Sequence, residues 1–426
     1  MSFGGSKIDA LKGLLYGKGL RLFKLNPDSR LVAAMMGIPD YAPLVSAQIH
    51  VHTMTVAGAD PYRFLYEDGS YMADVQLNVQ KWYGFENPYI MPAEGYNYEV
   101  EALGGKMVRS RNHPATIDQS DPLIKKPEDI DKVKVPIEKD WGRVKYVIEF
   151  VKRAGEISGT PFAIFCAPFS FLCGIHSYPR VIYNIKKNPD FYNRLMQWSV
   201  DEVLIPYMEL LHHETGAERF MGADAWAVIP NVTKEIIEQF ILPWNIYLNE
   251  QAKARKLNAT VDITGDYCED NPARFDPELM KWCWSTMGDM FGVPYLLMGM
   301  GKPELWPMEV MQEFIAEEKA RGRKVMVAAT CSASYIRDST PYEIAEYVKR
   351  VMDALGRDGG LMFSLVQVPA DTPPINVHSY AEAVRLYGKY PVPEDLDEIE
   401  FRAPEFEPYQ DWLQREIAEG RVEPYE

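Results

Sequence analysis

The chain has 426 residues, 47% hydrophobic and 25% charged, the balance of a folded globular protein rather than a disordered one. Lys and Arg number 45 against 61 Asp and Glu, a net charge of −16, which argues against nucleic-acid binding and weakly against an anionic membrane surface. No run approaches the ~20 apolar residues of a membrane helix, the N-terminus lacks the apolar stretch of a secretory signal, and the five cysteines form no CxxC pair, so free thiols in a cytoplasmic protein are expected.

Residues 1–40 mix short apolar groups with basic residues and predict a helical extension. Residues 41–140 are irregular, with turn signals at Asp60-Pro61, Glu67-Asp68-Gly69 and Glu86-Asn87-Pro88. Within them the run QIHVH alternates His50 and His52 as a strand would. A polar half-buried face or a two-histidine metal pair fits that spacing. From about residue 140 the pattern becomes regular. Trp141–Ala154 predicts a helix and Phe162–Cys166 a buried strand. A helix starts at Asn188-Pro189-Asp190, where Pro suits the first turn and Asp the positive end of the dipole. A strand at 219–222, a helix at 234–254 and a strand at 259–263 follow. Then come a helix at 277–290, a strand at 295–298, a helix at 308–321 and a strand at 324–329. The series ends with a helix at 341–355, a strand at 360–364 and a helix through Tyr387.

Short strands alternating with longer helices, at least six times, specify βα units and a parallel sheet. Neither GxGxxG nor GxxxxGKS occurs, so dinucleotide and P-loop sites lose their main signals. The count favours a single (β/α)8 TIM barrel over residues 1–391, including the extension at 1–40. An acidic, Pro-rich, extended C-terminal tail covers 392–426.

A barrel puts its chemistry at the C-terminal ends of its strands. Those ends are Ala167-Pro168-Phe169-Ser170, Asp224 with Trp226, Thr264 to Cys268, Thr330-Cys331, and Gln367 with the turn at Asp371. Asp224 is either a loop or capping residue or a catalytic carboxylate. Asp262 lies inside an apolar strand, where a carboxyl is costly unless paired, protonated or on a ligand, and it is read as catalytic. Cys331 is an inert buried thiol or a metal ligand; Cys166, Cys173 and Cys283 are packing. His212-His213 reads as a solvated helix face. Phe169, Trp226, Gln367 and His52 are the candidate substrate-binding residues.

Several segments in order resemble the uroporphyrinogen decarboxylase superfamily, which includes corrinoid-dependent methyltransferases. They are Leu103-Gly104-Gly105 through Pro136, Ala167-Pro168-Phe169-Ser170, Asp224-Ala225-Trp226 with Leu242-Pro243-Trp244, Thr330-Cys331 with Thr340-Pro341, and Thr372-Pro373-Pro374-Ile375-Asn376 to Tyr390. The resemblance implies a (β/α)8 barrel. The decarboxylases carry an arginine-rich N-terminal motif, yet residues 36–60 contain no arginine, and Gln367 stands where they have a histidine. A polyanionic tetrapyrrole is therefore a poor match. The thiol-methylating members bind zinc through His-x-Cys-Gly and a later Cys. The later Cys matches Cys331, whereas the first motif aligns with Asp262-Ile263-Thr264-Gly265. One zinc on Asp262 (or Asp266), Cys268 and Cys331 is the metal set this implies.

The reading is a methyltransferase that moves a methyl group between a small methylated substrate, such as an aryl methyl ether, and a corrinoid protein. The cobalamin motif DxHxxG is absent, so the corrinoid is expected on the partner. A buried carboxyl such as Asp262 would protonate the leaving heteroatom. The alternatives are a decarboxylase or lyase of a small acid, and a non-catalytic partner-binding barrel.

Overall fold

The computed structural model describes residues 40–46, 49–85, 90–92, 97–158, 161–261, 265–299 and 301–424. The expected extension at 1–40 therefore falls outside the described residues save for Asp40, and Asp262 lies outside them too. Seven parallel strands form among these residues: β1 Leu44–Ser46, β2 Phe162–Cys166, β3 Arg219–Ala223, β4 Asn258–Val261, β5 Tyr295–Leu297, β6 Met326–Ala329 and β7 Leu361–Leu365. They make one sheet in the order β1-β7-β6-β5 and another in the order β2-β3-β4. The alternation of strand and helix and the parallel pairing agree with the sequence pattern. The described pairings do not close into an eight-stranded ring.

The chain divides into two compact units, one of Met1–Gly58, Val75–Ile90 and Asp266–Glu426, the other of Ala59–Asp74 and Met91–Gly265. In the first unit, β7 is the hub strand, with Val45 opposite Ser364 and Ala329 opposite Phe363. Helices start where their caps permit. Asp276 accepts the Leu279 amide at 3.1 Å ahead of Pro277–Phe291. Thr340 and Glu343 form a reciprocal capping box at the start of Pro341–Val351. The core gathers Trp284, Phe314, Phe363 and Tyr380, all at most 2% exposed.

Two expectations fail in this unit. The QIHVH run is not a strand: His50–Ala57 is a helix that ends at Gly58, whose φ of +63° is the left-handed conformation glycine adopts freely. Two alternating histidines and several β-branched residues carry a local strand signal, and the tertiary position after β1 overrides it. The tail is not extended throughout, because Tyr409–Ala418 is helical. Tyr409 and Leu413, one turn apart, are buried, while Gln410 donates to the Ala57 carbonyl at 2.9 Å and the Trp82 indole to that of Glu407 at 2.9 Å.

In the second unit, β3 lies between β2 and β4, with Cys166 opposite Ala223 and Gly222 opposite Val261. These strands are apolar runs because helices cover them. The helices include Val144–Ser158, Pro168–His176 and Leu242–Ala254. Residues 97–136, expected to be irregular, form the short helix Tyr98–Ala102 and a two-residue antiparallel ladder, Met107–Val108 with Thr116–Ile117. Arg143, 5% exposed, donates there to Glu101 at 2.8 Å and lies over the Tyr98 ring at 4.8 Å. Among the described residues no helix is long and apolar enough to cross a membrane.

Candidate functional site

In the second unit the ends of β2 and β3 are tied together by one carboxylate. Asp224 follows β3 directly and is fully buried. It accepts the Ser170 amide at 2.9 Å, the Ser170 hydroxyl at 2.7 Å and the Asn245 amide at 3.1 Å. Ser170 Oγ in turn accepts the Trp226 amide at 3.0 Å. The sequence singles out Asp224 and Trp226, and the geometry joins them through Ser170. It makes Asp224 a bracket that fixes two strand-end loops. Trp226 is half-buried and stacks on Tyr178, ring centres 5.1 Å apart. Phe169 is fully buried and belongs to the helix that starts at Pro168.

A carboxyl not singled out from the sequence lies at the end of β2. Glu99, fully buried on the Tyr98–Ala102 helix, accepts the Cys166 amide at 2.7 Å through Oε1, and its Oε2 has no hydrogen-bond partner. Burial raises its pKa to about 7, with the Cys166 N–H pulling the other way. The Tyr207 hydroxyl beside it is also buried without a partner, and its pKa is pushed up by burial and then by Glu99. Nothing local in Tyr98-Glu99-Val100-Glu101 distinguishes Glu99 from Glu101, which pairs with Arg143 and Arg109. Only the tertiary contact with β2 does.

In the first unit, Asp266, Cys268, Glu304, Cys331 and Gln367 sit on segments that continue past strand ends. Asp266 is buried, and the Cys268 thiol lies 3.7 Å from its Oδ2. Gly299, just past β5, packs so tightly here that a Cβ would collide with both Asp266 carboxylate oxygens. Glu304 accepts the Ser332 amide at 3.0 Å and the Ser332 hydroxyl. That fixes the loop carrying Cys331, and Tyr347 holds it from the other side by donating to the Thr330 carbonyl. Burial pushes the Cys331 thiol far above its ordinary pKa, and the nearby Glu304 adds to the effect. Gln367 is exposed, with a left-handed φ of +55°. His52 is fully buried with Nε2 2.6 Å from the Tyr83 hydroxyl, and burial lowers its pKa to about 4. Its Nδ1 is buried without a hydrogen-bond partner.

Of the expected zinc ligands, Cys268 and Cys331 lie in the first unit and Asp262 is outside the described residues. Among the described residues no group of three or more His, Cys, Asp or Glu side chains is arranged to hold a metal ion. The Cys268 thiol and the Asp266 carboxylate approach to 3.7 Å, and Glu304 acts electrostatically on Cys331.

Two measurements follow from this packing. Gly299→Ala must displace the Asp266 carboxylate, and is expected to cost about 1–3 kcal/mol in urea unfolding. An unchanged midpoint would contradict the close approach. Cys268 is half-buried, whereas the other four thiols are buried. Iodoacetamide on the native chain is therefore expected to modify Cys268 at least roughly tenfold faster than Cys331, read by peptide mass spectrometry. Equal rates would sink that assignment.

The chain is thus an α/β fold with parallel sheets and with carboxyls and thiols past its strand ends. The family model of uroporphyrinogen decarboxylase (URO-D) matches residues 26–387, and the chain belongs to that family. Twenty-nine solved chains resemble it. One is a methyltransferase from Methanosarcina mazei, with a TM-score of 0.61 and 18% identity, covering 85% of this chain and 99% of that one. At that identity the likeness speaks for the fold. No curated protein sequence matches.

Proposed function

We propose that this chain is a methyltransferase that moves a methyl group between a small methylated substrate and a corrinoid carried by a separate partner protein. One observation carries the reading. The segments past the strand ends hold carboxyls and thiols, and their few cations are engaged or exposed: Lys302 faces Asp270 at 3.4 Å, Arg337 pairs with Asp338 at 2.6 Å, and Arg274 is exposed. A site so poor in cations suits an uncharged methyl donor and not a polycarboxylate. The likeness to a solved methyltransferase supports the same direction.

The partner's corrinoid supplies the nucleophile that accepts the methyl group. What remains for this chain is the leaving group. As the carbon–heteroatom bond breaks, the heteroatom needs a proton so that it departs neutral. We assign that proton to Asp262, a carboxyl set in an apolar stretch of the sequence, with the fully buried Glu99 as the second candidate because its pKa lies near neutrality. Asp224 becomes a positioning residue. The stacked Trp226 and Tyr178 favour an aryl substrate, and an aryl methyl ether is the proposed donor.

The test supplies the cognate corrinoid protein in its reduced form and a panel of methoxyarenes. Methylated corrinoid and an equimolar phenol are expected together. No methylated corrinoid from any methoxyarene would remove the aryl-ether reading. Carbon dioxide from a small acid without corrinoid would install the decarboxylase alternative. Zinc stays part of the proposal only through Asp262, Cys268 and Cys331. About one zinc per purified chain, lost in Cys331→Ala, would establish it.

A further inference from the structure

The first unit holds a cavity beside the C-terminal segment. It measures about 270 Å³, is partly open, and is lined by Trp82 and Tyr83 at the end of the Gly69–Tyr83 helix, by the Pro374–Tyr387 helix and by the C-terminal segment, the lining residues all lying in the first unit. Drug-sized sites span roughly 300–1,000 Å³, so the occupant is small. None of the lining residues belongs to a strand-end segment.

The walls are aromatic and converge on His378. The Phe406 ring stacks on it at 4.3 Å, the Tyr83 ring lies at 4.6 Å, and Trp82 meets it edge-on at 4.5 Å. Trp412 adds a further ring from the tail helix. Phe406 is nonetheless 39% exposed, an apolar ring left in the lip of the pocket. Burial, then Arg385 and His52, lower the His378 pKa to about 4, so at neutral pH the imidazole adds a ring and no charge. Its Nε2 is buried with no hydrogen-bond partner.

The charge at the rim is acidic. Three carboxylates, Glu382, Glu405 and Glu407, face one guanidinium, that of Arg385. Arg385 is taken by Glu382, and Glu407 by Arg415 at 2.9 Å. Glu405 has no ion-pair partner among the described residues. Ring faces carry negative charge and attract cations, most of all cations whose charge is spread over methyl groups and weakly hydrated. A bare metal ion would need a converging set of oxygens that the rings displace. An anion would need the guanidinium that Glu382 occupies.

We propose that this pocket binds a small quaternary or methylated ammonium ion, held by the Phe406, Trp82 and Trp412 rings with Glu405 as its counter-ion. The site is independent of the methyl-transfer reading.

Isothermal titration of the full chain with choline near neutral pH tests it. The comparison ligands are the uncharged isostere in which carbon replaces the choline nitrogen, and benzoate. Choline is expected to bind one-to-one, and the isostere about tenfold more weakly. Phe406→Ala and Glu405→Gln are each expected to weaken choline about fivefold. Both side chains are exposed, so an unchanged melting midpoint verifies that the variants fold. Equal binding of the isostere would reduce the pocket to an apolar cleft, and tighter benzoate would make it an Arg385 anion site. Choline binding unmoved in both variants, or absent from the wild type, would also overturn the proposal. Because the readout is binding, its failure leaves the corrinoid assay untouched, and the converse holds.

Discussion

Asp224→Ala is expected to lower the folding free energy by about 3–5 kcal/mol, read as a shifted urea midpoint at unchanged slope. The substitution leaves the Ser170 amide, the Ser170 hydroxyl and the Asn245 amide without their acceptor in a fully buried setting. Each stranded donor carries its own desolvation cost of about 1–3 kcal/mol, partly relieved by rearrangement or entering water. Asp224→Asn keeps one oxygen for Ser170 and is expected to lose less, about 1–2 kcal/mol. The same pair separates bracket from acid. If Asp224 only positions Ser170 and Trp226, the asparagine variant keeps the wild-type pH profile of methyl transfer at a reduced rate. A profile that loses one limb in Asp224→Asn would make Asp224 a proton carrier.

Glu99→Gln is expected to remove a pH dependence of stability. The folded-state pKa is raised from 4.5 to about 7, chiefly by burial. Between those values the unfolded chain releases a proton that the folded chain retains. Folding stability therefore falls as pH rises through that window, and levels off above it. The full effect is at most about 3 kcal/mol. Glutamine keeps the acceptor for the Cys166 amide and carries no charge at any pH. The variant and the wild type should match near pH 4.5, with the variant more stable by about 1–3 kcal/mol near pH 8. Urea unfolding across that range checks it, and parallel curves for the two proteins would show that Glu99 is not ionising there.

The regular half of the chain was legible because each signal was local. Apolar runs at Phe162–Cys166 and Met326–Ala329 are strands. Helix starts at Pro189, Pro277 and Pro341 fall where proline and its capping neighbour permit. The strand-end rule reached Asp224, Trp226, Cys268 and Cys331 for the same reason, since a residue following a strand can be counted from the sequence. Glu304, in the segment that follows β5, falls under the same rule.

Other features were not local. The His50–Ala57 helix contradicts its own β-branched composition, and the Tyr409–Ala418 helix hides in an acidic, Pro-rich stretch. His52 and Gln367 have ordinary sequence surroundings, yet one is sealed in the core and the other exposed with a left-handed backbone. The same holds for Glu99 and Glu101, two residues apart on one short helix.

By itself, then, the sequence determined the βα alternation, the acidic balance, the absence of GxGxxG and GxxxxGKS motifs and the strand-end residues, because periodicity and composition act over a few neighbours. Only the tertiary structure decided which carboxyl is clamped by three donors, which is buried with a spare oxygen, and which aromatic rings meet over His378. Those properties depend on desolvation and on partners such as Asn245 for Asp224, Cys166 for Glu99 and Phe406 for His378. These partners lie tens of residues away along the chain and become neighbours only when it folds.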